Sequence, residues 1–167
     1  MKNYELYQFM DNYGKLKTLS GFPFVFELAR NKRKIVELIS TLEEIKEELP
    51  EYKEFKSKYL ALREKYSDRD KSGNPITEDV PGQPGMKNYK ITEKAKEFAV
   101  EEAKIEKKYK NILDQQKKRW VSYNEALEQD VNEKFVCVSE QNIPKNISLE
   151  QLELVSFMIC EKKGKSK

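Results

Sequence analysis

Two long runs of helically spaced apolar residues, parted by a segment crowded with glycine and proline, constrain this chain more than any other feature. In the first run Ile35, Leu42 and Leu49 recur every seven residues, and Leu38, Ile45, Tyr52, Tyr59 and Tyr66 repeat the interval with an offset of three. The second run places Ala95, Phe98, Glu102, Ile105, Tyr109, Ile112, Gln116, Arg119 and Tyr123 at alternating steps of three and four. Each spacing puts one stripe on one side of a helix, so the sequence predicts helical arms over residues 24–66 and 92–127. Thr92 is the expected N-cap of the second arm. Pro50 lies inside the first, where it either kinks the helix or begins a new one as its first residue. Residues 67–91 hold Gly73, Pro75, Pro81, Gly82, Pro84 and Gly85, which end all periodicity and read as a loop or a β-hairpin tip.

Charge order indicates how the arms pair. If the chain folds back with Tyr66 opposite Ile91, the acidic run from Glu43 to Glu54 faces Lys104, Lys107, Lys108 and Lys110. Lys56, Lys58, Arg63 and Lys65 then face Glu93, Glu97 and Glu101. Exposed ion pairs contribute only about 0–1 kcal/mol each, but the alternation favours an antiparallel register.

Shorter elements flank the arms: an aromatic helix over residues 3–13, a strand at 135–138, and a terminal helix over 148–160. The last opens with Ser148 and Gln151 at capping-box spacing. The fold expected is a single domain over residues 1–167, mainly α with a minor β element. Its body is a long, coiled-coil-like antiparallel helical hairpin.

Composition suits that body. Apolar residues make up 38% and charged residues 37%, against about 45–50% and about 25% in ordinary domains, which leaves little material for a thick core around a pocket. The 32 basic and 29 acidic residues nearly cancel, so bulk charge selects neither nucleic acid nor membrane. The apolar stretches at residues 22–26 and 152–160 fall short of the roughly 20 residues that span a bilayer. The first residues lack the apolar core of a signal peptide. Both observations point to a cytoplasmic protein.

Candidate chemistry is sparse. The chain has no histidine, which excludes Ser-His-Asp triads, Cys-His dyads and HExxH zinc sites. Cys137 and Cys160 form no CxxC pair and read as two buried thiols in a reducing compartment. Asp68-x-Asp70-x-Ser72-Gly73 has the spacing of the first half of a calcium loop, but Pro75 and Asp79 stand where a β-branched residue and a glutamate belong. Gly164-Lys165-Ser166 imitates the end of a phosphate loop without its first glycine. The paired carboxylates sit in lysine-rich helical runs with no cleft to separate their pKa values. No catalytic residue, metal site or cofactor is expected.

Two surfaces suggest binding. Arg30, Lys32, Arg33 and Lys34, with Lys117, Lys118 and Arg119 beside Trp120, form basic clusters suited to phosphates. Leu152, Val155, Phe157 and Ile159 belong to a terminal helix apolar on nearly every side. Such a helix either packs against residues 135–138 and the N-terminal helix or docks a partner.

Leu19-Ser20-Gly21, Glu27-Leu28-Ala29-Arg30-Asn31, Lys65-Tyr66-Ser67-Asp68 with its Asp70–Gly73 turn and Pro75, and Ile143-Pro144 before Leu149 together resemble a family of small phage- and prophage-encoded helical-hairpin proteins. The resemblance spans about residues 19–160 and implies an accessory role in the cytoplasm of a phage host, with no catalytic residues to carry over. The function expected is therefore non-enzymatic. The chain binds another protein, by one version inhibiting a host or defence factor; the alternatives are a nucleic-acid-binding accessory protein and a virion-assembly or tail-chaperone protein. A homo-oligomer is a further expectation; a membrane partner is not.

Overall fold

The computed structural model describes residues 1–82 and 87–160; Pro84, Gly85 and the Gly164-Lys165-Ser166 string lie outside them. The described chain is mainly helical with one small two-stranded sheet. It forms two compact units, one of Met1–Glu47 with Trp120–Lys167 and the other of Glu48–Arg119.

The first unit begins with α1 (Asn3–Asn12), which runs into a 3-10 turn at Tyr13–Thr18. The α-helical part ends just ahead of Gly14, as its residue type suggests, and a 3-10 turn carries the chain past it. The break comes at Gly21, whose φ of 109° is open to glycine and strained for other residues. There α2 (Phe22–Lys46) starts, with Pro23 in its first turn, where the missing N–H is not needed. Phe24, Leu28, Asn31, Ile35 and Leu42 recur on one face of α2 and are all buried. They pack in one core with Leu6 and Phe9 of α1, Leu16, Leu19, Val138, Val155 and Met158. The start of α1 is tied down by Asn3, whose backbone N–H donates to the Gln129 carbonyl at 3.0 Å and whose side chain donates to Ala126 at 2.8 Å.

In the second unit Pro50 takes the second of its two options. It is the first residue of α3 (Pro50–Tyr66), and Leu49 before it is extended, as a residue preceding proline prefers. The third long helix is α4 (Ala95–Leu127), of which residues 95–119 belong to this unit. Contacts between α3 and α4 run in opposite senses. Tyr66 meets Phe98 at 6.1 Å between ring centroids, Phe55 meets Tyr109 at 5.5 Å, and the Leu49 N–H donates to the Gln116 side chain at 2.9 Å. Tyr66 therefore faces Phe98 and not Ile91, a shift of about two helical turns. The cause is that residues 90–94 do not join the helix. The carriers of the α3 seam are also wider than the tyrosines alone, since Phe55 is its buried residue.

The segment between α3 and α4 is a paired tip. Strands β1 (Thr77–Asp79) and β2 (Lys87–Tyr89) are antiparallel, with Glu78 opposite Asn88. Below them the Ile76 N–H donates to the Asp68 carbonyl at 2.8 Å, and the Asp68 N–H donates to Lys90 at 2.9 Å. Gly73, at φ 84°, closes the turn that returns the chain from Asp70 to Asn74. Thr92 does not cap α4. It is bonded instead through its own N–H and hydroxyl to the Asp68 carboxylate, and α4 starts three residues later.

Two further expectations are corrected. Residues 135–138 form no strand; only Val138 pairs, in an isolated parallel bridge to Ile159. The terminal helix is shorter than residues 148–160: α5 (Leu149–Val155) gives way to a 3-10 turn at Ser156–Met158. Its predicted capping box is present, with Ser148 and Gln151 each accepting the other's backbone N–H at 3.2 and 3.0 Å.

Candidate interaction surface

On a helix advancing 100° per residue, five consecutive residues Phe22-Pro23-Phe24-Val25-Phe26 cannot share a face. With Phe24 committed to the core, Phe22, Val25, Phe26 and Ala29 turn outward, and Arg33 and Val36 continue that stripe. The structure follows this arithmetic: Phe24 is fully buried, while Phe22 is 79% and Phe26 48% exposed. The two outward rings stack on each other at 5.6 Å with planes 23° apart. Gly21, Phe22, Val25, Phe26 and Ala29 line a shallow concavity at the start of the helix. Helix α2 thus carries two apolar faces, one packed in the core and one exposed among the described residues.

The basic cluster along α2 is divided by this geometry. Lys32 lies over the Tyr13 ring at 4.3 Å. Lys34 donates to the Lys134 carbonyl at 2.7 Å. Both are occupied in holding unit one together. Arg30 bonds Glu27 at 3.1 Å and leans over the Phe26 ring at 5.9 Å. Arg33 is exposed at the end of the apolar stripe. Two guanidinium groups therefore border the patch. Lys117 and Lys118 are exposed on α4 and Arg119 is half-buried there, in the second unit.

The terminal apolar residues point the other way. Val155 is fully buried. Phe157 sits edge-on against Phe9 at 5.5 Å and Phe135 at 4.7 Å, and Ile159 holds the bridge to Val138. Leu152 is half-buried. These contacts place the helix against α1 and residues 135–138. Leu149, 73% exposed, departs from the all-round burial expected of this helix.

Asn31 had no distinguishing sequence signal inside its basic run. It is fully buried, and its amide donates to the Val136 carbonyl at 2.8 Å while accepting the Val136 N–H at 2.7 Å. The side chain thereby supplies both bonds that a neighbouring strand would have offered. This explains why residues 135–138 are extended without belonging to a sheet.

The carboxylates of the calcium-like string are engaged by the chain's own donors. Asp68 accepts the Thr92 hydroxyl and the N–H groups of Thr92 and Glu93 at 3.1 Å. These bonds, the Thr92 side chain foremost, hold its pKa below the usual carboxylate range. Asp70 accepts from Ser72 and Asn74 at 2.8 and 2.9 Å and is lowered for the same reason, the Asn74 backbone first. Glu54 is held down by Lys58 and Tyr109, with Lys108 of α4 adding a smaller field; Glu101 is held down by Lys104, with Lys65 of α3 contributing.

The thiols differ from expectation: Cys137 is exposed and Cys160 half-buried. No described helix is long and apolar enough to cross a membrane. Comparison with protein-family models, with curated proteins and with solved structures finds no match.

Proposed function

We propose that the chain is a non-enzymatic protein-binding module whose contact face is the outward stripe of α2. Phe22, Val25, Phe26 and Ala29 form its apolar centre, with Arg30 and Arg33 at its edge. The observation that supports this most is the exposed, stacked Phe22–Phe26 pair on a helix whose opposite face already fills the core. Leaving two phenyl rings in water forgoes roughly 1.5–3 kcal/mol each that burial would return. Aromatic residues bordered by arginine are also the composition of binding hot spots. The partner that fits is a protein presenting an apolar ridge, such as one face of an amphipathic helix, flanked by carboxylates for the two arginines.

The same proposal extends to the second unit, where α3 and α4 form an antiparallel helical hairpin with heptad-like seams. The opposed contacts of Tyr66, Phe55 and Leu49 support it. A setting in the cytoplasm of a phage-infected cell, with inhibition of a host or defence factor as the outcome, rests on the family resemblance.

The test is capture from bacterial lysate, with and without nuclease treatment, by the tagged chain and by a Phe22→Ser, Phe26→Ser variant of unchanged melting temperature. The proposal expects a discrete protein held by the first and lost by the second. Equal retention by both would remove the α2 face from consideration. Signal that disappears with nuclease would favour nucleic acid.

A further inference from the structure

Both cysteines stand beside the backbone bridge that joins residues 135–138 to the chain beyond α5. The Val138 N–H donates to the Met158 carbonyl at 2.6 Å, and the Cys160 N–H donates to the Val138 carbonyl at 3.0 Å. This is a parallel bridge centred on Val138 and Ile159. Side chains alternate along an extended segment, so Val138 and Ile159 share one side, while Cys137, opposite position 158, and Cys160, opposite position 139, are diagonal neighbours on the other. Burial agrees: Val138 is in the core and Cys137 is exposed. The segment carrying Cys137 is fixed from behind by the Asn31 amide, and that carrying Cys160 by Met158, which is fully buried.

We propose that Cys137 and Cys160 are a reversible disulfide site, closing residues 137–160 into a covalent loop when a small-molecule disulfide is present as oxidant. The Cys137 thiolate attacks one sulfur of the oxidant, forming a mixed disulfide and releasing one small thiolate. Cys160 then loses its proton to solvent and attacks the Cys137 sulfur, forming the internal bond and expelling the second small thiolate. Two protein thiols are oxidised, and one disulfide is reduced to two thiols. The order of attack follows from the surroundings. Cys137 is the exposed sulfur and the first that an oxidant meets, while a hydrogen bond with Cys137, followed by burial, pushes the Cys160 thiol up and disfavours its thiolate.

The experiment equilibrates the full reduced chain in graded mixtures of reduced and oxidised glutathione, quenches with acid and weighs the alkylated products. Parallel samples are run folded and in concentrated urea. The expected result is a species lighter by two hydrogens that resists alkylation. Its equilibrium constant should be at least about tenfold larger folded than unfolded, the measure of thiols already brought together. In the folded sample the Cys160→Ser variant should stop at a glutathione adduct on Cys137. Equal constants in the two samples, a persistent glutathione adduct on the native chain, or a disulfide-linked dimer in place of the internal bond would each overturn the proposal.

Discussion

Replacing Asn31 by leucine keeps a side chain of similar size in the core of the first unit but removes both hydrogen bonds to Val136. Each such bond contributes about 0.5–1.5 kcal/mol net, and a buried group left without its partner costs about 1–3 kcal/mol. Val136 is half-buried, so water recovers part of that loss. The expected destabilisation is about 2–4 kcal/mol. Urea unfolding should show a lower midpoint with an unchanged slope, because the area exposed on unfolding is nearly the same. The unit-specific readout is amide exchange. The Val136 N–H should lose its protection outright, while Leu28 and Ile35 lose only as much as the unit's global stability falls. Asn31→Asp sharpens the argument. The carboxylate still accepts the Val136 N–H but faces the Val136 carbonyl with a second acceptor, so it should cost more than leucine at neutral pH. A loss below about 0.5 kcal/mol for Asn31→Leu, with the Val136 amide still protected, would refute the idea that this side chain takes the place of a neighbouring strand.

Other expectations concern the remaining junctions. Asp68 has a lowered folded pKa, so its contribution is present above the pKa of an unfolded aspartate and disappears as the pH falls through the folded value; the Thr92 and Glu93 amides should then begin to exchange faster in acid, an order that Asp68→Asn would abolish. Ser148→Ala should cost about 1 kcal/mol by removing the cap of α5, read in thermal unfolding. Val155→Asp should unfold the first unit, since it leaves an unpaired charge in the core, whereas Leu149→Asp should stay within about 0.5 kcal/mol of the parent.

Which of these features could be read in the sequence depends on how far apart the interacting residues lie. Pro50 as a helix start, the Ser148–Gln151 box and the Asp70–Gly73 turn are decided within a few residues, and their chemistry is visible in the local string. The seams of α3 and α4 were legible as periodicity, but their offset was not. It follows from Asp68 capturing Thr92 and Glu93 across 24 and 25 residues and keeping residues 92–94 out of the helix. The Asn31–Val136 pairing spans 105 residues, and nothing near Asn31 separates it from the charged residues beside it. Residues 135–138 have a strand's composition because they are extended and partly covered; only their partner is not a strand. The outward patch was present in the string at residues 22–26 and measured there as a membrane span too short to insert. The more informative reading places those residues around a helix, which turns Phe22 and Phe26 away from the side that buries Phe24.

The proposed contact face is the outward stripe of α2, not the terminal helix. Photoreactive phenylalanine analogues at position 22 and at position 149, two exposed apolar sites of similar accessibility, address it directly when irradiated with the captured protein. The account predicts a covalent adduct from position 22 and none from position 149. An adduct from position 149 alone would contradict it and return the binding surface to α5.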